Sequence, residues 1–389
     1  MADEFPIVTI ETDRGTVPLR AIVDVDGLYL LAGDWAAEWP LHLLRENRAE
    51  LRWGDRRTVL VPRLVSNEEE RTRAINRFRR AAGESRFGEW FPQPGRLLRL
   101  SPPAAATGPA DPRAPLDRWL EAEFDLSAQE YESRVRANPI EQFARTVSIE
   151  LLQATFPRHG RLLEIGPGVG LETLPMLREG HRVTAVDISG RMLERLRERA
   201  NVGGLGALLE TVQLPAHELG SLPARPDVDG FAGAYSTFGA LNTESDLRPV
   251  LRAVAERLPA GSRFVVGFFN RWGLMEVVTS LAEADRQRAF HRFHRVARVG
   301  STRFGVDFYP RSPPEIVRAA APAFRPVGIR GFPLVLPPAD RVRKFRRWLD
   351  SSPRAARSDA WLGRRSLLAA LADHVWITFE RTEAAPSAG

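Results

Sequence analysis

The sequence contains no cysteine among its 389 residues, which excludes disulfides, thiolate metal sites and cysteine nucleophiles. Lysine occurs once, at Lys344, so arginine carries nearly all of the positive charge behind the formal net charge of +6. No uncharged apolar run reaches the ~20 residues of a membrane-spanning helix. The N-terminus is acidic and lacks the basic start and apolar core of a signal peptide. We therefore expect a soluble, cytoplasmic protein with no membrane partner.

The positive charge is spread along the chain instead of forming a cluster. The densest basic stretch, residues 341–349, could bind phosphates but is equally well explained as the solvated face of a helix. A modest net charge says little about partners unless it is concentrated in a patch. We therefore do not expect a nucleic-acid partner.

Short alternating runs rich in β-branched residues dominate residues 1–100, and they indicate strands. Two stretches with helical periodicity interrupt them. One begins at Trp39, and the other has an Asn cap at Asn67, an acidic first turn and a stop at Gly83. Several strands around two helices predict a small antiparallel barrel.

Proline and alanine dominate residues 101–120, which we predict to be a linker between two domains. Strand and helix patterns alternate through residues 121–383, and such alternation builds a parallel, doubly wound α/β sheet of the Rossmann-like type. Its last two strands, near residues 324–332 and 373–381, are predicted to form an antiparallel pair. Residues 384–389 are predicted to be a disordered tail.

A glycine-rich turn follows the first strand of this second region, with glycines at Gly166, Gly168 and Gly170. A strand before it and a helix after it are the context of a nucleotide-type site. The dinucleotide fingerprint GxGxxG would need glycine at Leu171, and a phosphate-binding P-loop would need Gly-Lys-Ser/Thr. Neither pattern is present. The alternative without a ligand is a tight strand-to-helix turn.

Acidic residues flank this turn. Glu164 at the end of the first strand suits a ligand that carries positive charge better than it suits a pyrophosphate. Asp187 ends the second strand, where a carboxylate can accept both ribose hydroxyls. Taken alone, Asp187 is also explained as a helix cap.

Residues 164–200, EIGPGVGLETLPMLREGHRVTAVDISGRMLERLRERA, resemble the class I S-adenosylmethionine-dependent methyltransferases. The resemblance extends over about residues 124–382. It implies a seven-stranded sheet, methyl transfer, and S-adenosylmethionine as the cofactor. By this resemblance the cofactor-binding residues are Gly166, Pro167, Gly168 and Gly170 along the methionine part, Glu164 at its amino group, Asp187 at the ribose, Ile188 and Met192 beside adenine, and Ser236 facing cofactor and acceptor.

One departure from the family pattern concerns adenine. Many relatives carry an acidic residue after the third strand that accepts from the adenine amino group. Here Pro215 or Ala216 occupies that place, and Glu218 lies farther along. The resemblance therefore leaves the recognition of adenine open.

The methyl acceptor is predicted to be a small molecule. The segment after the fourth strand, AYSTFGALN, lacks the Asn-Pro-Pro-Tyr type of motif that positions a base amino group. An insertion between Asn270 and Asp307 is helical in pattern and long enough to form a lid. It holds His291 and His294, whose spacing could suit a metal, but no carboxylate accompanies them on that helix face. We therefore predict no metal site and assign no catalytic residue.

The first region resembles the split β-barrel family that includes flavin- and deazaflavin-dependent reductases, over about residues 6–100. Asp34 and Glu38 lie where such a protein would hold the cofactor phosphate, and they would repel it. A cofactor-free barrel that serves a homodimer or presents substrate is thus favoured over one that binds flavin or deazaflavin. The alternative functions are a bifunctional or redox protein and a non-catalytic ligand-binding protein.

Overall fold

A closed barrel and a seven-stranded sheet organise the chain. The computed structural model describes residues 5–12, 15–24, 27–34, 37–54, 56–103, 114–223, 230–298, 306–341 and 353–383. Contacts divide the chain into two units, the first ending at Ser127 and the second beginning at Ala128.

Six strands form the closed barrel in the order β1-β2-β3-β6-β5-β4, with every neighbouring pair antiparallel. Pairing of Thr9 with Arg52 closes the ring. The barrel predicted for this region is therefore confirmed. The elements are β1 Ile7–Thr12, β2 Gly15–Asp24, β3 Gly27–Leu31, α1 Trp39–Glu46, β4 Ala49–Trp53, β5 Arg56–Leu64, α2 Glu68–Ala82, α3 Glu84–Trp90 and β6 Leu97–Ser101.

Helix α2 begins and ends where the sequence predicts. The Asn67 side chain accepts a hydrogen bond from the backbone N–H of Glu70 at 2.9 Å, and Gly83 ends the helix with φ of +78°. Helix α3, which starts directly after Gly83, was not predicted. It forms because Phe87 and Phe91 pack into an apolar cluster with residues of the barrel strands, and their ring centroids lie 5.2 Å apart. These contacts are tertiary, so no local pattern predicts the helix.

The prediction that the linker runs to residue 120 is wrong in its last part. Helix α4, Ala114–Ala137, begins inside that stretch. Trp119 and Leu120 are buried, and Trp119 belongs to the apolar core of the barrel. The apolar contacts of these two residues thus extend the first unit beyond the proline-rich stretch. Residues 104–113 and the predicted tail, 384–389, lie outside the described residues, and the domain boundaries stay a proposal.

A buried ion pair joins the first part of α4 to the residue that precedes β6. Arg96, just before β6, donates from Nε and Nη2 to the carboxylate of Glu123, and both side chains are only 1% exposed. A buried charge that loses its partner is costly, whereas replacing both partners with apolar residues is often close to neutral.

We expect Glu123→Gln to lower the free energy of unfolding by about 3 kcal/mol, because it leaves the Arg96 guanidinium buried beside a neutral group. Urea denaturation measures the change. The paired variant Arg96→Met/Glu123→Leu should recover most of the loss. Equal destabilisation by the single and paired variants would contradict this account of the ion pair.

Seven strands form the sheet of the second unit, in the order β14-β15-β11-β10-β7-β8-β9. Strands β14 and β15 pair antiparallel, as predicted, from Phe324↔Arg381 to Phe332↔His374. The α/β fold is therefore confirmed. The elements are α5 Pro139–Thr155, β7 Arg161–Ile165, α6 Thr173–Arg178, β8 Arg182–Asp187, α7 Gly190–Val202, β9 Leu209–Gln213, β10 Gly233–Ser236, α8 Arg248–Arg257, β11 Arg263–Phe269, α9 Leu274–Ala282, α10 Arg286–Phe290, β12 Ala297–Arg298, β13 Asp307–Phe308, α11 Pro313–Ala320, β14 Phe324–Phe332, α12 Pro353–Leu362, α13 Ser366–Ala369 and β15 His374–Arg381.

The order of the strands places the switch point of the sheet between β7 and β10. From β7 the chain adds β8 and β9 on one side, then returns to add β10 and β11 on the other. All of these neighbours are parallel. Ligands of doubly wound sheets bind at the carboxyl ends of the strands beside such a switch point.

The insertion after β11 is helical in α9 and α10, as predicted, but β12 and β13 add a short antiparallel pair that was not. Among the described helices of the whole chain, none is both long enough and apolar enough to span a bilayer.

Candidate cofactor and acceptor site

The glycine turn leaves the end of β7 in a backbone conformation that favours glycine at three positions. Gly166, Gly168 and Gly170 have φ of +71°, +54° and +79°. A Cβ at Gly166 would lie 2.1 Å from the Cβ of Ala240, and one at Gly170 would lie 2.2 Å from Cδ1 of Leu196. These two glycines are therefore required by packing.

Gly168 differs, because a Cβ there would meet no atom within 4 Å. Its backbone N–H instead donates to Oδ2 of Asp187 at 3.1 Å. The glycine turn and the acidic end of β8, separate in the sequence, are thus joined by a hydrogen bond. The open space lies at the central glycine, on the side where a ligand would approach.

Asp187 is held by backbone donors and is partly exposed. Its Oδ1 accepts from the N–H of Ser189 at 2.9 Å, in addition to the bond to Gly168. The cap of α7 is Ser189, whose Oγ accepts from the N–H of Met192 at 3.1 Å. Because Ser189 supplies the cap, the helix-cap explanation for Asp187 is wrong.

Glu164 lies beneath the turn and is 1% exposed. Its Oε2 accepts from the hydroxyls of Thr173 at 2.6 Å and Tyr235 at 3.0 Å. Burial raises the pKa of Glu164 to about 8; the two hydroxyl donors lower it, and the nearby carboxylates of Glu172 and Asp187 raise it. At neutral pH the folded protein therefore holds this carboxyl mainly in its protonated form.

This protonation gives stability a pH dependence. The folded state retains a proton that the unfolded chain, whose glutamate has a pKa of 4.5, has already lost, so stability falls as pH rises from 4.5 to about 8. Between pH 5.5 and 7.5 the free energy of unfolding of the wild type should fall by about 2.5 kcal/mol relative to Glu164→Gln. Urea titrations at the two pH values measure it. The same substitution at exposed Glu194 is the control, and a parallel pH dependence in all three proteins would contradict the raised pKa.

The remaining predicted residues lie on the elements that border the turn. Pro167 and Met192 are buried, and Ile188 is partly exposed with its carbonyl accepting from Nε2 of Gln213 at 3.2 Å. Ser236 ends β10, is fully buried, and its Oγ has no hydrogen-bond partner among the described residues. The contacts of these four residues with a cofactor stay predictions.

After β9, in the region predicted to contact adenine, a short 3-10 turn runs from Ala216 to Ser221. Glu218 on it is exposed, and His217 Nδ1 lies 3.3 Å from Oε1 of Glu244. Neither Pro215 nor Ala216 is acidic, so the recognition of adenine stays open.

The sequence interpretation missed a partly buried group of charged and aromatic residues beside the turn. Arg145 on α5 donates to Glu172 at 2.6 Å and to the hydroxyl of Tyr131 at 2.7 Å, and its guanidinium carbon lies 3.5 Å from the ring centroid of Phe238. Burial lowers the pKa of Arg145, but Glu172 and Tyr131 more than offset this and keep it charged. The only sequence signal was that these residues lie within the stretch, about 124–382, that resembles the methyltransferase family.

His291 and His294 are not brought together with carboxylates as a metal site among the described residues. The Nδ1 of His291 lies 2.6 Å from the carbonyl oxygen of Arg288, and burial lowers the pKa of His291. His294 is exposed.

Comparison with known proteins gives a family match for the segment that carries the site. Residues 163–266 match the profile of a family described as a methyltransferase domain. A stretch of 150 residues is 32% identical to the nonribosomal peptide synthetase CymA of Salinispora arenicola, over 38% of this chain and 2% of that protein. A stretch of 76 residues is 40% identical to ribosomal RNA small subunit methyltransferase A of Dichelobacter nodosus, over 19% of this chain and 29% of that protein. Both matches span less than a third of the relative's own length.

Among solved structures, the chain is similar to the 1,6-didemethyltoxoflavin-N1-methyltransferase of Burkholderia thailandensis, crystallised with 1,6-didemethyltoxoflavin and S-adenosylhomocysteine. The identity is 18%, the TM-score is 0.44, and the match covers 72% of this chain and 95% of that one. The family match covers the glycine turn, the acidic end of β8 and the switch point of the sheet. Residues 163–266, within the second unit, therefore match a methyltransferase domain.

Proposed function

We propose that this protein transfers a methyl group from S-adenosylmethionine to a small-molecule acceptor. The observation that carries the proposal is the hydrogen bond from the N–H of Gly168 to Asp187. It sets a carboxylate beside an unobstructed glycine at the switch point, where doubly wound sheets bind their ligands.

The residues present fit this cofactor. Asp187 has a partly exposed carboxylate suited to ribose hydroxyls, and Gly168 leaves room for close approach of the methionine part. Ser236, at the end of β10, offers a buried hydroxyl that no described residue pairs. Glu164, Gly166, Pro167, Gly170, Ile188 and Met192 complete the proposed set.

The bound cofactor would supply a methyl group already activated by its sulfonium. The chain then has mainly to hold donor and acceptor in line, which by itself accounts for much of the acceleration in such displacements. Arg145, paired with Glu172 just beyond the turn, offers a buried cation that would balance the carboxylate of the methionine part.

The distribution of charge favours a small acceptor over nucleic acid. Several arginines on and near the sheet pair with neighbouring carboxylates instead of forming an open basic face. Examples are Arg161 with Glu210, Arg195 with Glu198, and Arg199 with Glu132. Binding to phosphates relies on clustered cations that are free to pair with them.

The function of the barrel stays a prediction. Its six strands are consistent with a homodimer or with presentation of substrate, and the flavin or deazaflavin alternative has no support in the contacts of Asp34 and Glu38. Asp34 accepts from the backbone N–H of Ala37 at 2.9 Å, so an acidic group occupies the turn where a phosphate would bind. The proposed location of the protein is the cytoplasm.

The test uses S-adenosylmethionine labelled in its methyl group. The purified protein is incubated with a small-molecule extract and, separately, with bulk transfer and ribosomal RNA. The proposal predicts label in a small molecule, lost in Asp187→Ala and retained in Glu194→Gln. Label in RNA alone would contradict the acceptor class, and failure to transfer despite bound cofactor would contradict the activity.

A further inference from the structure

Two buried polar atoms on β15 lie near the carboxyl end of β10 and have no hydrogen-bond partner among the described residues. These atoms are Nδ1 of His374 and Nε1 of Trp376. Trp376 is fully buried, and His374 is 3% exposed. A buried polar group left unpaired is costly, so two of them on adjoining rings indicate a ligand that pairs them.

The fold brings these residues together across β11. His374, the first residue of β15, reaches over β11 so that its Nε2 lies 2.7 Å from the carbonyl oxygen of Thr237. Its ring centroid is 4.5 Å from that of Trp376. Gly267 makes this crossing feasible, because a Cβ there would lie 1.9 Å from the Thr237 oxygen and 2.6 Å from Cδ1 of Trp376.

The hydrogen-bonding roles of the two rings follow from their partners. A carbonyl oxygen only accepts, so Nε2 of His374 carries the hydrogen and Nδ1 presents a lone pair. The indole of Trp376 can only donate. Burial lowers the pKa of His374 to about 3, and Arg145 and Arg292 lower it as well, while the bond to Thr237 raises it. The ring is therefore neutral under ordinary conditions, and Asp373 beside it is paired with Arg292 at 2.8 Å.

The walls around this donor and acceptor are aromatic. Phe238 stacks on His374 with centroids 4.8 Å apart, and Phe269 meets it edge-on at 5.0 Å. A hydroxyl group matches the pair, because its oxygen accepts from an indole N–H while its hydrogen is donated to an imidazole nitrogen. A carboxylate has no hydrogen to give, and an ammonium has no lone pair to offer.

We infer that His374 and Trp376 bind the hydroxyl group of the methyl acceptor; this rests on the proposed function. Trp376 Nε1 donates to the hydroxyl oxygen, and the hydroxyl hydrogen is donated to His374 Nδ1. In the transfer, the hydroxyl oxygen bonds to the methyl carbon as the carbon–sulfur bond breaks, and the hydroxyl proton is released to solvent. The products are a methyl ether, a neutral thioether and a solvated proton.

Three probes that differ in one group test the inference: phenol, anisole, which lacks the hydroxyl hydrogen, and aniline, whose nitrogen is a poor acceptor. Calorimetric titrations are made with and without S-adenosylhomocysteine. Phenol should bind about tenfold more tightly than anisole or aniline, the worth of one well-formed hydrogen bond. Trp376→Phe and His374→Phe should remove this preference, whereas His294→Phe, at an exposed histidine, should retain it.

A measurement on the wild type avoids any dependence on variants that fold poorly. With histidine labelled by nitrogen-15, saturating phenol should shift the Nδ1 resonance of His374 and leave Nε2, already bonded to Thr237, nearly unchanged. Equal binding of the three probes, or an unmoved Nδ1, would overturn the inference. Binding of S-adenosylhomocysteine, followed in the same titrations, reports separately on the proposed function.

Discussion

Asp187→Ala is expected to weaken binding of S-adenosylhomocysteine about a thousandfold, the largest loss of affinity that we predict. The carboxylate would accept two ribose hydroxyls, and hydrogen bonds to a charged group are each worth about 1.5–3 kcal/mol. The substitution also removes the hydrogen bond that the N–H of Gly168 donates to Asp187, so the middle of the turn loses this restraint. Calorimetric titration of both proteins measures the difference.

Two controls separate binding from folding. Asp187→Asn keeps one acceptor oxygen and the shape of the side chain, and should lose only about tenfold in affinity. The thermal midpoint of Asp187→Ala should stay close to that of the wild type, since α7 keeps its own cap at Ser189. Unchanged affinity in a folded Asp187→Ala protein would remove this residue from the site.

The three glycines of the turn should respond differently to alanine. Gly166→Ala and Gly170→Ala should each lower the free energy of unfolding by about 4 kcal/mol, since overpacking adds to the cost of a left-handed backbone. Gly168→Ala has space for its methyl group and should cost only about 1 kcal/mol of stability. Its methyl group would instead occupy the open side of the turn and obstruct the cofactor.

Urea denaturation and calorimetry of the three variants therefore form one experiment. The expected pattern is two poorly stable proteins and one stable protein that binds S-adenosylhomocysteine weakly. A stable Gly168→Ala that binds normally would place the cofactor elsewhere. Equal stability of all three variants would contradict the close contacts of Gly166 with Ala240 and Gly170 with Leu196.

Local patterns predicted the elements whose signals lie within a few residues. The cap at Asn67 and the stop at Gly83 define α2, and the spacing of the glycines after β7 predicted the turn. Period-two runs predicted the barrel strands, and alternating patterns predicted the doubly wound sheet with its antiparallel last pair.

The features that sequence patterns missed depend on residues far apart in the chain. Helix α3 is held by Phe87 and Phe91, and the start of α4 is held by the pair of Arg96 and Glu123, 27 positions apart. His374 approaches Thr237 across 137 positions. No local period carries such information, because these contacts exist only after the sheet and the barrel have formed.

Sequence patterns likewise predicted some residues of the candidate site and missed others. Glu164 and Asp187 lie at the ends of β7 and β8, as predicted, and their contacts with a cofactor stay predictions. The raised pKa of Glu164 arises mainly from its burial, which no motif contains. Arg145 was missed because an arginine on a helix is usually a surface residue, and only the fold pairs it with Glu172.

The central claim, that this chain binds S-adenosylmethionine at the glycine turn, is tested most directly by calorimetric titration of the cofactor and of S-adenosylhomocysteine into the wild-type protein. The account predicts saturable binding of both ligands at one site per chain, with a dissociation constant in the micromolar range. Absence of heat and of any thermal stabilisation in a folded sample would contradict it and would reduce the turn to a structural connection between β7 and α6.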